Sequence, residues 1–220
     1  MAWLRKPIRG ILMDITGVLY ESGERKAIEG SVDALKMYDD LSISQLHADV
    51  EAEFAECDLN EPNCVVVGDA ANNFSYENMN RAFHVLVDND DSVLITLGKG
   101  KYYKEHDKLT MDVGPFTAAL EATDRQAIVI GKPGEEFFRM ALEDMKLRPE
   151  DVVMIGDDIV CDVGGAQSAG MRGVLVRTGK FRPENENHAN IRPDAIVKNL
   201  MEAIERILST ERPTKPVLPQ

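Results

Sequence analysis

Four acids and one lysine carry the chemistry this chain could do. Asp14 follows directly on the apolar run Ile11, Leu12 and Met13 and precedes a turn-like Thr16-Gly17 pair. Asp157 and Asp158 end a second apolar run, 152–156, and Asp162 follows shortly after them. Lys132 sits in Gly131-Lys132-Pro133, behind the apolar stretch 127–130. Burying a carboxylate is costly unless it is paired or bound to a metal. Taken alone, Asp14 is either a turn cap or chemistry at the carboxyl end of a strand. Several carboxylates brought together repel one another unless a divalent cation lies among them, and an oxygen-only ligand set suits Mg²⁺. A lysine added to that set completes what phosphoryl transfer needs. Metal and ammonium neutralise the phosphoryl oxygens, and an aspartate attacks.

Short all-apolar runs alternating with helical patterns must position these groups. Strands are expected at 8–13, 127–130, 151–158, 173–179 and 194–197. Helices are expected at 30–38, with Ser31 as N-cap, at 134–147, at 162–170 and from about 199 to 209. In the second of these, Phe137, Ala141 and Met145 recur at helical spacing; in the last, Leu200, Ala203, Ile204 and Ile207 share a face. This alternation indicates an α/β fold, a doubly wound parallel sheet covered on both faces. In such sheets ligands collect at the carboxyl ends of the strands, where the acids and Lys132 fall. The texture changes between 46 and 118, which reads as a smaller inserted α/β unit. The expected division is a discontinuous core, 1–45 with 119–212, an insert at 46–118, and a frayed, proline-rich tail at 213–220.

The net charge of −13 argues against a nucleic-acid or anionic-membrane surface, since both need basic patches. The three cysteines, Cys57, Cys64 and Cys161, show no CxxC spacing, so neither a disulfide framework nor a zinc site is expected. No secretory leader or membrane-length apolar run is read in the sequence. A cytoplasmic setting is expected, with the nucleus also open.

The stretches "DITGVLY", "GKP" and "IGDDIVCDVGGAQSAGM" resemble motifs I, III and IV of the haloacid dehalogenase superfamily of phosphatases. The insert resembles the C2-type cap of that superfamily. The segments "NCVVVGDAANNFSYENMNRAF", "LGKGKYYKE", "DVGP" and "VRTGKFRP" are similar to one branch of it, which hydrolyses P–N bonds of phosphohistidine and phospholysine and inorganic pyrophosphate. The resemblance implies that Asp14 is the nucleophile and forms an aspartyl-phosphate. Asp14, Asp157 and the main-chain carbonyl of Thr16 would hold Mg²⁺, with Asp162 as a metal-site or supporting acid. Lys132 would hold the phosphoryl group, with Asp14, Ile15 and Thr16 beside it, and Asp158 would support the turn. Implied partners are small phosphorylated substrates or phosphohistidine and phospholysine proteins, and a second copy paired through the cap.

Two departures from the superfamily pattern stand out. The usual second aspartate of motif I, the general acid and base, is replaced by Thr16. Its loss matters most for poor leaving groups, because such catalysis contributes ~10²–10⁴-fold. Thr16 therefore favours P–N compounds and pyrophosphate over a third reading, a phosphatase of simple esters. Motif II, a Thr or Ser ending the second strand, has no counterpart before the cap segment, although Ser42 or Ser44 could stand in. Losing one preorganised donor commonly costs ~10²–10³ in rate. The rival expectation is therefore a truncated binding protein that keeps the motif I and IV acids.

The remaining features read as structural. Thr96, at the end of "VLIT", belongs to the cap pattern; Asp112 starts a helix, although it could also seat the cap; Cys161 is a small buried residue that could be open to oxidation. Lys99 and Lys101 are candidates for substrate gating, and His47, His84, His106 and His188 are assigned no role.

Overall fold

The computed structural model describes residues 2–14, 18, 62–70, 74–106 and 108–211. The expected helix at 30–38, Ile15, Thr16, Ser42, Ser44, His47 and the tail lie outside them.

The larger sheet contains β1 (Gly10–Met13), β7 (Val152–Gly156), β8 (Arg172–Val176) and β9 (Ala195–Val197), all parallel, in the order β1-β7-β8-β9. Every residue of β7 is buried. Its side chains alternate between two cores, as the period of a strand demands. Val153 and Ile155 pack with Val174, Val176 and α5 (Leu200–Glu211), whereas Val152 and Met154 pack with Phe138 and Leu142 of α3 (Glu135–Met145). On α5 the expected stripe Leu200, Ala203, Ile204 and Ile207 is fully buried. On α3 the buried residues are Phe138 and Leu142, while Phe137, Ala141 and Met145 are only half-buried. The expected stripe lies one residue off the centre of the face, because the helix turns Phe138 toward Gly165, where a Cβ would come within 2.5 Å of its ring.

The strand expected at 8–13 is shorter and less buried than its sequence implies, with Ile11, Leu12 and Met13 half-exposed. Among the described residues β1 pairs only with β7. Arg172 ties the segment before β1 to β8. Its guanidinium donates to the carbonyls of Trp3, Lys6, Pro7 and Glu150 at 2.8, 2.9, 3.2 and 2.7 Å.

The smaller sheet is also parallel, in the order β2 (Cys64–Val67), β3 (Val93–Thr96) and β6 (Ile128–Val129). Helices α1 (Tyr76–Asp88) and α2 (Val113–Glu121) cover one face, burying Val65, Val67, Leu86, Leu94, Val113 and Leu120. The hairpin of β4 (Tyr102–Glu105) and β5 (Lys108–Met111) is inserted after β3. The expected boundary at 118/119 falls inside α2, and β6 hydrogen-bonds to β3. Asp112 is the N-cap of α2, accepting from the Val113 N–H at 2.7 Å. Thr96 is buried in a hydroxyl network with Thr117 and the Gly98 carbonyl.

Candidate active site

Asp14 sits at the carboxyl end of β1, and its main-chain N–H continues the ladder to the Ile155 carbonyl at 2.9 Å. Asp157 leaves the neighbouring strand β7 one residue beyond Gly156, so the two carboxylates emerge side by side. After them the chain enters a π-helical turn, Ile159–Gly164, and then the short α4, Gly165–Ser168. Such turns widen the helix and occur often at functional positions. Asp158 caps this turn, accepting from the N–H groups of Val160 and Cys161 at 2.8 and 2.9 Å. The turn carries Asp162 back beneath the end of β7. Gly156 is required there, since a Cβ on it would lie 2.2 Å from Asp162 Oδ2.

Lys132 arrives from the smaller sheet, in the loop between β6 and α3. Gly131 passes so close to β3 that a Cβ would lie 1.8 Å from the Leu97 carbonyl oxygen. The Lys132 carbonyl accepts from the Lys99 N–H at 3.1 Å. Its ammonium donates to Asp14 Oδ1 at 2.9 Å and to Asp162 Oδ1 at 2.7 Å. Burial alone would lower the affinity of this amine for its proton, but Asp162 and Asp14 outweigh it and hold Lys132 well above the ordinary lysine range. Asp162 is fully buried, and its second oxygen accepts from the Asp158 N–H at 3.0 Å.

Asp14, Asp157 and Asp162 each place a carboxylate oxygen so that all three lie within 4.8 Å of one another. Asp157 is 3% exposed. Its Oδ2 accepts from the Lys180 N–H at 2.8 Å, while Oδ1 is buried without a hydrogen-bond partner among the described residues. Burial, and then the Asp162 charge, push its pKa up to about 8. An orphaned buried carboxylate oxygen beside two further carboxylates fits a hard divalent cation of the Mg²⁺ type. Asp158 behaves differently. Burial would raise its pKa, but the Lys180 ammonium at 3.0 Å and two N–H donors hold it below the usual range.

A cleft of 650 Å³ opens beside Asp14, Lys132 and Asp162, with Asp157 lining the neighbouring cavity. Asp14, Lys132, Asp162 and Lys180 line it on one side, and Asp69, Leu97, Gly98 and Tyr103 on the side of the smaller sheet. Asp14, Lys132, Asp157 and Asp162, expected as one cluster, are brought together. Lys99 pairs with Glu121 at 2.7 Å, whereas Lys101 is exposed and lines a neighbouring cavity with His188 and Lys180. Cys161 is buried, as expected. Lys180 is the residue that sequence reasoning missed. The available signal was a lysine following a parallel strand, as Lys132 follows β6.

A HAD-hydrolase-like family model matches residues 129–203. A phospholysine phosphohistidine inorganic pyrophosphate phosphatase of Danio rerio is 43% identical over 258 residues, covering 93% of this chain and 96% of the relative. The Homo sapiens protein of the same name is 41% identical over 255 residues, covering 91% and 94%. Among solved structures, a 4-nitrophenylphosphatase from Thermotoga maritima superimposes with a TM-score of 0.73 at 21% identity, covering 91% of this chain and 97% of that one. That likeness shows a shared fold. With Asp14, Asp162 and Lys132 lining one cleft and this identity over nearly its whole length, the chain belongs to the phospholysine phosphohistidine inorganic pyrophosphate phosphatases, within the haloacid-dehalogenase-like phosphatases.

Proposed function

We propose that the chain hydrolyses P–N bonds of phosphohistidine and phospholysine, and inorganic pyrophosphate, through an aspartyl-phosphate on Asp14. The observation that carries this reading is the Lys132 ammonium bridging Asp14 and the fully buried Asp162. It fixes the Asp14 carboxylate in the cleft and places a permanent positive charge where phosphoryl oxygens would lie. A bound Mg²⁺ would neutralise the remaining phosphoryl charge, with Asp14 and Asp157 Oδ1 as its protein oxygens. Asp162, which accepts from Lys132 and from the Asp158 N–H, would complete this metal group or support it by orienting Lys132.

An Asp14 oxygen attacks phosphorus, the P–N bond breaks, and the leaving nitrogen takes a proton from water. Water then cleaves the acyl phosphate and returns inorganic phosphate and the Asp14 carboxylate. An amine nitrogen is basic enough to be protonated without an enzymatic acid, which agrees with threonine at position 16. Phosphate release from phosphohistidine, phospholysine and pyrophosphate tests the reading. It should require both Mg²⁺ and Asp14 and be lost in Asp14→Asn.

A second reading, a non-catalytic binding protein, rests on one specific observation. The alignment to the Danio rerio relative spans 258 positions, more than the 220 residues of this chain, so some positions of that relative have no residue opposite them here. The missing counterpart of motif II in the sequence agrees with a loss in that region. A chain that binds Mg²⁺ and phosphate analogues yet releases no phosphate would favour this second reading. Pairing of two copies belongs to either reading, and sedimentation of the full chain tests it. Among the described residues no helix is long and apolar enough to cross a membrane.

A further inference from the structure

Lys180 touches both aspartates that follow β7, through two different groups. Its main-chain N–H donates to Asp157 Oδ2 at 2.8 Å. Its ammonium, on a side chain only 15% exposed, lies 3.0 Å from Asp158 Oδ2. Gly179, at φ 61°, makes the turn after β8 that presents both donors to the same loop. The consequence for Asp157 is geometric. With Oδ2 held by Lys180, Oδ1 is the buried oxygen left without a partner, and it belongs to the carboxylate group shared with Asp14.

We infer that Lys180 is a positioning residue for the divalent-cation site. It clamps Asp158, and through Asp158 the loop, so that its own N–H can hold Asp157 Oδ2 and leave Oδ1 free to bind the cation. The inference rests on the metal-site reading above. Two effects of the ammonium oppose each other. Its charge repels a nearby cation, whereas its clamp orders the ligand; the geometry assigns the larger part to the clamp. Asp158 already accepts two N–H bonds through Oδ1, so the ammonium on Oδ2 locks a carboxylate whose orientation the loop has set.

Mg²⁺ affinity of the full chain, measured by titration calorimetry without substrate, tests this. Outer partners of metal ligands typically contribute 10–100-fold in affinity, so Lys180→Met should bind Mg²⁺ about tenfold more weakly or worse. Lys180→Arg, which keeps a charged donor, should recover most of that loss. The double variant Lys180→Met with Asp158→Asn leaves no buried unpaired charge and keeps the acceptor for Val160 and Cys161. It carries the test where the single variant fails to fold, and it also should bind weakly. Unchanged or tighter binding in the variants overturns the inference, whatever happens to their melting temperatures. An unmutated chain that binds no Mg²⁺ overturns the metal-site reading itself, and the inference with it.

Discussion

Lys132 and Asp14 lie 118 positions apart in the chain, yet the lysine ammonium sits 2.9 Å from the aspartate Oδ1. One comes from the loop leaving the smaller sheet and the other from the end of β1, so their contact couples the two sheets. The same ammonium neutralises Asp162, which has no access to solvent.

Replacing Lys132 should therefore reduce stability and, on the proposed function, phosphate release as well. Lys132→Met leaves Asp162 buried without its counter-ion, a change that typically costs about 3–5 kcal/mol. Urea unfolding should show that loss. Adding Asp162→Leu should restore part of the stability but none of the phosphate release, because the charge facing the phosphoryl group stays absent.

Without a divalent cation, stability should fall as pH rises from about 4 toward about 8. The folded protein holds Asp157 protonated up to about 8, whereas the unfolded chain releases that proton near the ordinary carboxylate value of 3.8. The folded state then binds more protons across this window, and the linkage slope is negative. Melting temperatures in EDTA between pH 5 and 9 should follow that trend. Mg²⁺ should flatten it, and Asp157→Asn should remove the part above about pH 6; below that Asp162, which burial pushes up to about 6, keeps a slope of the same sign.

Cys161 should resist alkylation in the native protein. Burial, followed by the Asp158 charge, pushes its thiol far above the usual range, so little thiolate forms near neutral pH. The expected oxidation sensitivity would need that thiolate. Peptide mapping after iodoacetamide at pH 8 should find Cys64, which is exposed, modified in the native state and Cys161 modified only after unfolding.

Arg172→Ala should cost about 2–4 kcal/mol, since hydrogen bonds to a charged group contribute roughly 1.5–3 kcal/mol each and some of the four carbonyls regain water. The loss should appear as a lower urea midpoint. Hydrogen exchange should increase in β1, because Trp3, Lys6 and Pro7 lose their tether to β8.

Much of the fold was legible because local rules and the final packing agree. The run 152–156 is apolar throughout and becomes a strand buried on both faces. Leu200, Ala203, Ile204 and Ile207 repeat at helical spacing and are all buried. Phe138 shows the limit of such reading. Periodicity sets the width of an apolar stripe, whereas the partner, here Gly165, sets which residue lies at its centre. The half-exposure of β1 was also hidden, since a strand's own composition says nothing about which neighbour its edge will find.

At the site, the sequence nominates Asp14, Lys132, Asp157 and Asp162 together, because several carboxylates collected with a lysine at the carboxyl ends of parallel strands repel one another unless a cation lies among them. Any one of these acids alone could be a turn cap. Their division of labour was decided only by the tertiary structure. Asp162 gives both oxygens to Lys132 and to the Asp158 N–H, Asp158 is tied to Lys180, and Asp157 keeps one buried oxygen without a partner. The physical reason is that a carboxylate's role depends on which donors reach each of its oxygens. Those donors come from the loop after β8 and from the smaller sheet, which folding alone brings to the ends of β1 and β7.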